Sequence, residues 1–183
     1  MNIQEVRMFL KQNFDGPEVV KALKFRLETH LSDPTLDPLV AQVWPAYNQL
    51  PQLLRAPFTL LDAGCMSGFL YHFLQQHFTD FKYTGYDRWP EALEVGREFA
   101  PGVEFVQKDF LLDPIEGSWD YVVCSNIPFK GLEEYQAIEQ LRPHARIGLL
   151  MIYPNSRISI FGPSPASHAT PEDAGSQKAD IQA

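Results

Sequence analysis

The stretch LLDAGCMSGFL, residues 60–70, constrains the fold more than any other part of the chain. It joins an apolar run to two glycines, Gly64 and Gly68, and leads into an amphipathic helical pattern. A strand, a glycine-rich turn and a helix in this order are typical of α/β proteins that bring their backbone close to a nucleotide-like ligand. The GxxxG spacing differs from the GxGxxG of dinucleotide folds and from the GK[ST] of P-loops. We therefore expect a nucleotide-binding loop of another kind.

A carboxylate beside this loop, Asp62, narrows the class of ligand. A dinucleotide or a triphosphate would bring several negative charges next to it, at a cost in Coulomb energy unless a metal intervened. S-adenosylmethionine (SAM) instead carries a sulfonium and an ammonium group. On these residues the chain resembles the class I SAM-dependent methyltransferases, and the resemblance covers about residues 57–153.

A second acidic residue, Asp87, ends the β-prone run 83–86 and lies 23 positions after Gly64. This is close to the spacing of about 20 that nucleotide-binding βαβ units show. A carboxylate at this place can accept hydrogen bonds from both ribose hydroxyls. It also precedes the Arg-Trp-Pro sequence at 88–90, where an acidic helix N-cap is favoured. Both interpretations stay open.

A third predicted strand, 103–107, is followed by Asp109 and Phe110. The resemblance implies that Asp109 accepts from the adenine amino group and that the backbone N–H of Phe110 serves a ring nitrogen; a solvated loop carboxylate is the alternative. Because ligands of open α/β sheets bind at the carboxyl ends of the strands, we expect the three carboxylates to converge. The predicted cofactor-binding residues are Asp62, Gly64, Cys65, Gly68, Asp87, Arg88, Asp109 and Phe110.

One motif points to the methyl acceptor: Asn126-Ile127-Pro128-Phe129, after the fourth predicted strand. It resembles the N[IL]P[FY] motif of ribosomal RNA adenine dimethylases and, more loosely, the [DNS]PP[YF] of amino-group methyltransferases. The resemblance implies that the Asn126 side chain and the carbonyl of Ile127 or Pro128 orient an amino group, while Phe129 stacks on the base. Asn126, Pro128 and Phe129 are the predicted catalytic residues. An ordinary strand-to-helix loop is the alternative.

Strands and helices alternate from residue 58 onward, the pattern of a parallel sheet with right-handed crossovers. The predicted strands are 58–62, 82–87, 103–107, 120–124 and 147–153, and the predicted helices are 68–78, 90–99 and 131–141. The connection 109–119 is too short for a full crossover helix. Residues 157–161 are predicted to add an antiparallel edge strand. The expected fold class is α/β: a Rossmann-like, doubly wound, mostly parallel sheet of about five strands with this edge strand beside it.

Three amphipathic helical patterns precede the sheet. Residues 15–18 predict a capping-box-like helix start, Asp37 with Pro38 predicts another, and Pro45 should kink or end the last helix. The resemblance implies that this extension covers the cofactor and shapes the substrate pocket. Trp44 and Tyr47 either face that pocket or pack in the interior.

These patterns divide the chain into an N-terminal helical extension or lid, 1–55, a SAM-binding Rossmann-like domain, 56–161, and a tail, 162–183. The tail is rich in Pro, Ser, Ala and Asp and is predicted to be disordered, because it has too little apolar surface to bury.

Charge and composition limit the partners. The net charge of −8, from 23 acidic and 15 basic residues, disfavours an extended nucleic-acid footprint. Five bases lie within residues 7–26, where a solvated helix surface is favoured over a local basic face. Two cysteines, no signal peptide and no apolar run of about 20 residues favour a cytoplasmic protein without a membrane span. The sequence shows no metal site and leaves the oligomeric state open.

The leading hypothesis is a SAM-dependent methyltransferase that produces S-adenosylhomocysteine (SAH) and methylates an N or O nucleophile. The acceptor is unidentified, with an amine or a nucleobase favoured. The alternative is a catalytically silent SAM-binding partner of another subunit. A nicotinamide oxidoreductase is disfavoured by Asp62 and by the spacing of the glycines.

Overall fold

The computed structural model describes residues 3–13, 15–127, 129 and 132–164, and at its centre lies a six-stranded sheet. The strands are β1 (Phe58–Ala63), β2 (Phe81–Asp87), β3 (Glu104–Gln107), β4 (Trp119–Ser125), β5 (Ala145–Ile152) and β6 (Ile158–Phe161). They are ordered β3-β2-β1-β4-β5-β6. Neighbours pair in parallel except β5 and β6, which are antiparallel. The predicted fold class and the antiparallel edge strand are confirmed.

Helices cover both faces of this sheet, because consecutive residues of its central strands point to opposite sides. Leu60 and Val123 belong to the apolar cluster beneath α5 (Phe69–Gln75) and α6 (Pro90–Phe99). Leu61 and Val122 belong to the cluster beneath α7 (Glu133–Leu141). The helices that follow β1 and β2 lie on one face of the sheet, and the helix that follows β4 lies on the other. This change of face leaves a crevice at the carboxyl ends of β1 and β4.

The boundaries of these elements differ from the predictions by a few residues. The helix predicted over 68–78 ends at Gln75, because Gln76 and His77 donate to carbonyls three residues back, and this tightens the last turn. The helix predicted over 131–141 begins at Glu133. Residues 108–118, all of them described, contain no helix, as the short connection predicts.

The N-terminal segment forms α1 (Ile3–Gln12), α2 (Pro17–Ser32), a 3-10 turn (Pro34–Leu36), α3 (Pro38–Tyr47) and α4 (Leu50–Leu53). The helix start predicted at residues 15–18 is confirmed, since α2 begins at Pro17, but the capping box is wrong: Gly16 is the N-cap and makes no side-chain cap bond. Helix α3 continues past Pro45 to Tyr47. Its last turn is held by tertiary packing, since Trp44 and Tyr47 lie against Phe73 with ring centroids 5.3 and 5.6 Å away.

Helix α2 lies over the glycine-rich turn between β1 and α5. Its buried residues Leu23 and Leu27 share an apolar cluster with Ala92 and Val95 of α6. Met66 and Phe69, within and just after the turn, pack against the same cluster. The N-terminal helices therefore cover the end of the sheet where the predicted cofactor residues lie.

The division into 1–55, 56–161 and 162–183 stays a prediction. Of the predicted tail the structure describes residues 162–164, where the Arg142 guanidinium donates to the carbonyl of Gly162 at 2.8 Å. The remainder of the tail lies outside the described residues. No helix in the described part of the chain combines the length and the apolar character that crossing a membrane requires.

Candidate active site

At two positions, the turn after β1 has a backbone conformation that only glycine adopts freely. Gly64 and Gly68 have φ angles of 85° and 78°. The N–H groups of Gly64 and Cys65 both donate to the carbonyl of Tyr86, at 2.7 and 3.0 Å. These bonds tie the turn to the carboxyl end of β2, the neighbouring strand.

Neither glycine has room for a side chain. A Cβ on Gly64 would lie 2.5 Å from Cδ1 of Ile127, and a Cβ on Gly68 would lie 2.7 Å from Cζ of Phe105. Gly64 therefore brings the loop after β4 against the turn. Gly68 instead seats the first turn of α5 on β3 and does not line the cavity described below.

We predict that Gly68→Ala destabilises the protein more than Gly102→Ala. Both positions have positive φ, 78° and 86°, so each alanine costs about 1–2 kcal/mol of backbone strain. A Cβ at Gly102 meets open space, whereas at Gly68 it meets the Phe105 ring and adds about 1–3 kcal/mol of overpacking. Urea unfolding of the two variants measures the difference. Equal losses of stability would show that the Phe105 ring yields freely.

Asp87 joins β2 to the glycine-rich turn. It is buried, and its carboxylate oxygens accept from the backbone N–H of Met66 at 2.8 Å and of Trp89 at 2.9 Å. Burial raises the pKa of this carboxyl group, and the two backbone hydrogen bonds oppose that shift. Trp89 is the N-cap of α6, so the alternative that Asp87 is the N-cap is wrong by two positions. Its side chain bridges two loops instead.

Asp62 lies beneath the turn as a buried acid. Its side chain accepts from the hydroxyl of Tyr83 at 2.6 Å. Burial raises its pKa to about 7, although the Tyr83 hydrogen bond acts in the opposite direction. A cationic group placed beside Asp62 would favour the carboxylate form, so this site selects for positive charge.

The loop after β3 places Asp109 and Phe110 at the same edge of the sheet. Asp109 accepts from the N–H of Leu111 at 3.0 Å, and Arg88, whose side chain is 81 % exposed, lies 3.7 Å away. Phe110 is buried, with its ring near Gly64. Among the residues that the structure describes, the N–H of Phe110 has no hydrogen-bond partner.

The acceptor motif follows β4. Asn126 adopts a left-handed backbone, φ 57°, which Asn tolerates better than most residues, and its N–H donates to Ile152 at 2.8 Å. The N–H of Phe129 donates to the Ile127 carbonyl at 3.0 Å, which makes the loop turn tightly. Pro128 lies outside the described residues.

One cavity of about 1100 Å³ brings these groups together. This volume is slightly above the usual range of about 300–1000 Å³ for ligand-binding pockets, enough for a cofactor and an acceptor side by side. The predicted site residues that line it are Asp62, Gly64, Cys65, Asp87, Arg88, Asp109, Phe110, Asn126 and Phe129. Cys65 lines it as a buried thiol whose pKa burial raises well above its ordinary value.

The roof of the cavity comes from α2 and α3, in line with the cover that the resemblance implies, but the sequence patterns did not single out Arg26 and His30. Tyr47 lines the cavity, and its hydroxyl lies 2.9 Å from that of Ser125, whereas Trp44 packs in the interior. Arg26 was interpreted as part of a solvated surface, but it lines the cavity and its Nε donates to Asp37 at 3.0 Å. His30, on the same face one turn later, lies 2.8 Å from the same carboxylate. Arg26 and His30 are four residues apart and adjoin the apolar positions Leu23 and Leu27, and this spacing could have indicated that both face the interior.

Comparison with known proteins gives one family match, at residues 60–147, to the methyltransferase domain. No curated protein matches the chain. The PH0226 protein of Pyrococcus horikoshii OT3 is 20 % identical, with a TM-score of 0.55 over 68 % of this chain and 62 % of that one. Magnesium protoporphyrin IX methyltransferase of Synechocystis PCC 6803, solved with bound SAM, is 17 % identical, with a TM-score of 0.54 over 69 % of this chain and 68 % of that one.

A third structure comes from work on the conversion of a disulfide bond into a thioacetal group during echinomycin biosynthesis, and its chain is 29 % identical. Its TM-score is 0.50 over 60 % of this chain and 48 % of that one. The chain thus spans only about three fifths of the Pyrococcus protein and about half of this one.

Residues 60–147, just under half of the chain, match the methyltransferase domain, and the chain shares its fold with the Pyrococcus and Synechocystis structures. The Synechocystis enzyme was solved with bound SAM, the cofactor that the sequence resemblance implies for this chain. The residues present fit that cofactor. The backbone of Gly64 lines the cavity, and three carboxylates, Asp62, Asp87 and Asp109, border it and suit a cationic ligand. Within the described residues no cluster of His, Cys, Asp and Glu suits a metal ion.

Proposed function

We propose that the chain transfers a methyl group from SAM to an N or O nucleophile, with a planar amine or a nucleobase amine as the favoured acceptor. One observation carries the proposal: Asn126 lines the same cavity as Asp62, Asp87 and Asp109. A cofactor held by the carboxylates would therefore share its cavity with a side chain able to orient an amine.

The proposed cofactor roles follow the order of the strands. Asp109 and the unpartnered N–H of Phe110 would hold the adenine at the end of β3, and Asp87 would accept from the ribose hydroxyls at the end of β2. Asp87 already accepts from two backbone N–H groups, which fixes its carboxylate for this role. Asp62 would face the positively charged end of the ligand.

The proposed acceptor roles fall to the loop after β4. Bound SAM supplies an activated methyl group for in-line displacement. The Asn126 carbonyl oxygen, with the carbonyl of Ile127 or Pro128, would accept from the N–H groups of the amine and so aim its nitrogen lone pair along the displacement axis. Phe129 would stack on a planar acceptor. Its partial burial against the cluster beneath α7 supports a fixed ring.

The proposed function is tested by screening an extract with methyl-labelled SAM. Label should enter a component that contains an amine or a hydroxyl, and the same extract with the Asn126→Ala variant should incorporate much less. SAM binding without any labelled component in extracts from several sources would contradict methyl transfer and support a silent SAM-binding partner. The net charge of −8 favours a small acceptor over extended nucleic acid, and a cytoplasmic location stays a proposal.

We predict that Asp87→Ala weakens SAM binding by about 1–3 kcal/mol, because the ribose hydroxyls lose a charged acceptor. Asp80→Ala, an exposed acid just before β2, is the control and should bind SAM normally. Calorimetric titration measures both affinities. Asp87→Ala also frees the N–H of Met66 and of Trp89, so circular dichroism must first show a folded protein. Unchanged SAM affinity in the folded variant would remove the ribose assignment.

A further inference from the structure

The charge around the cavity poses a problem for a ligand that carries a carboxylate. Acidic side chains line it at six positions, namely Asp15, Asp62, Asp87, Glu91, Asp109 and Glu133. These suit the sulfonium and ammonium groups of SAM but repel the carboxylate at the same end of the molecule. A cation near that end would relieve the repulsion.

Three cationic side chains line the described cavity, and two of them, Arg88 and Lys108, lie at the end where adenine is predicted to bind. Arg88 pairs with Asp109 at 3.7 Å, and Lys108 donates to the carbonyl of Pro114 at 2.6 Å. Lys108 also lies over the ring of Tyr86, 5.3 Å from its centroid. Both cations stand beside the predicted adenine position and have partners there.

The third cation, Arg26, is held differently. Its Nε donates to the fully buried carboxylate of Asp37 at 3.0 Å, and its side chain is 18 % exposed. Among the described residues neither terminal nitrogen of Arg26 has a hydrogen-bond partner. A guanidinium fixed through Nε presents its two terminal groups as a fork, the geometry that binds a carboxylate with two parallel hydrogen bonds.

Asp37 is held from a second side by His30, which fixes the fork further. Nε2 of His30 lies 2.8 Å from the same Asp37 oxygen. Burial lowers the pKa of His30, so a neutral ring donates from Nε2 and leaves the charge of Arg26 as the compensation for Asp37. The His30 ring meets Phe69 edge-on at 5.3 Å, and this contact places the pair above the glycine-rich turn.

The strand order sets which end of the ligand lies here. With adenine at β3 and ribose at β2, the remaining half of the ligand extends toward β1 and its turn, which α2 covers. We infer that Arg26, held by Asp37, binds the methionine carboxylate of SAM, so that α2 is part of the cofactor site. This inference rests on the proposed function and adds a cofactor-binding residue outside residues 60–147.

The test compares two ligands that differ only in the amino-acid half of the cofactor. SAH contains that half, and 5′-methylthioadenosine lacks it. Calorimetric titration of Arg26→Gln should show SAH binding about tenfold weaker or more, because the charge and the fork are lost, with 5′-methylthioadenosine binding unchanged. Lys21→Gln removes one charge from the exposed side of the same helix and should bind both ligands normally.

Other outcomes of this experiment would contradict the assignment of Arg26. SAH affinity that is unchanged in Arg26→Gln, or equal losses for both ligands, would overturn the inference, since the latter indicates a purely structural role. If Arg26→Gln does not fold, Arg26→Lys keeps the charge but not the fork and should weaken SAH selectively. Failure of the unsubstituted protein to bind either ligand would contradict the proposed function itself, and the inference with it.

Discussion

Asn126→Ala is expected to lower the rate of methyl transfer by about 100-fold or more while SAM affinity stays within a few-fold. The amide oxygen is proposed to align the acceptor nitrogen, and loss of such alignment acts on the rate of transfer and not on cofactor binding. Single-turnover transfer and the SAM dissociation constant, measured on the same variant, give the two numbers.

The left-handed backbone of Asn126, φ 57°, requires a second variant. Asn126→Gly removes the side chain but adopts that backbone without strain, so it should lose as much activity as Asn126→Ala. Asn48→Ala, at an exposed position after α3, should retain full activity. A loss confined to the alanine variant would trace the effect to backbone geometry, and wild-type turnover in both would make the motif an ordinary loop.

SAM affinity is expected to rise by roughly an order of magnitude in total between pH 5.5 and 7, with a slope that flattens toward pH 7, and the cause is Asp62. Burial raises its pKa to about 7, so below that pH the carboxyl must lose a proton before it can face a cation. Deprotonation of the carboxyl costs about 1.4 kcal/mol for each pH unit below its pKa. The ammonium group of the ligand stays charged in this window, since α-amino groups titrate near pH 8.

Asp62→Asn is the matched control for this pH dependence. The amide cannot titrate, so the slope between pH 5.5 and 7 should flatten, and at pH 7.5 SAM should bind more weakly than to the unsubstituted protein. Proton release on binding, measured calorimetrically in two buffers of different ionisation enthalpy, gives an independent check. A slope that persists in Asp62→Asn would move the titration to another acid, with Asp87 the first candidate because burial raises its pKa as well.

Local sequence patterns were sufficient for the turn between β1 and α5. Gly64 and Gly68 stand where φ is positive, and the spacing of apolar residues around them is a short-range property. The same is true of Asp87 and Asp109, since Asp87 ends β2 and Asp109 lies two residues after β3. Their convergence in one cavity followed from the general geometry of parallel sheets.

Other features depend on contacts that no local pattern contains. The hydrogen bond from Tyr83 to Asp62 requires the register of β1 against β2, in which Leu60 is opposite Tyr83. The Arg26 and Asp37 pair requires the chain to fold back through the 3-10 turn at Pro34–Leu36. Pro45 was expected to end or kink α3; the helix does not end there, because aromatic packing of Trp44 and Tyr47 outweighs the missing N–H.

The most direct test of the central claim is calorimetric titration of the purified protein with SAM, with SAH and with NAD. At pH 7.5 we expect one-to-one binding of SAM and SAH and no binding of NAD, because Asp62 and the other carboxylates of the cavity repel a pyrophosphate. Binding of NAD without binding of SAM would contradict the assignment of the cavity as a SAM site and would favour a nicotinamide-dependent oxidoreductase.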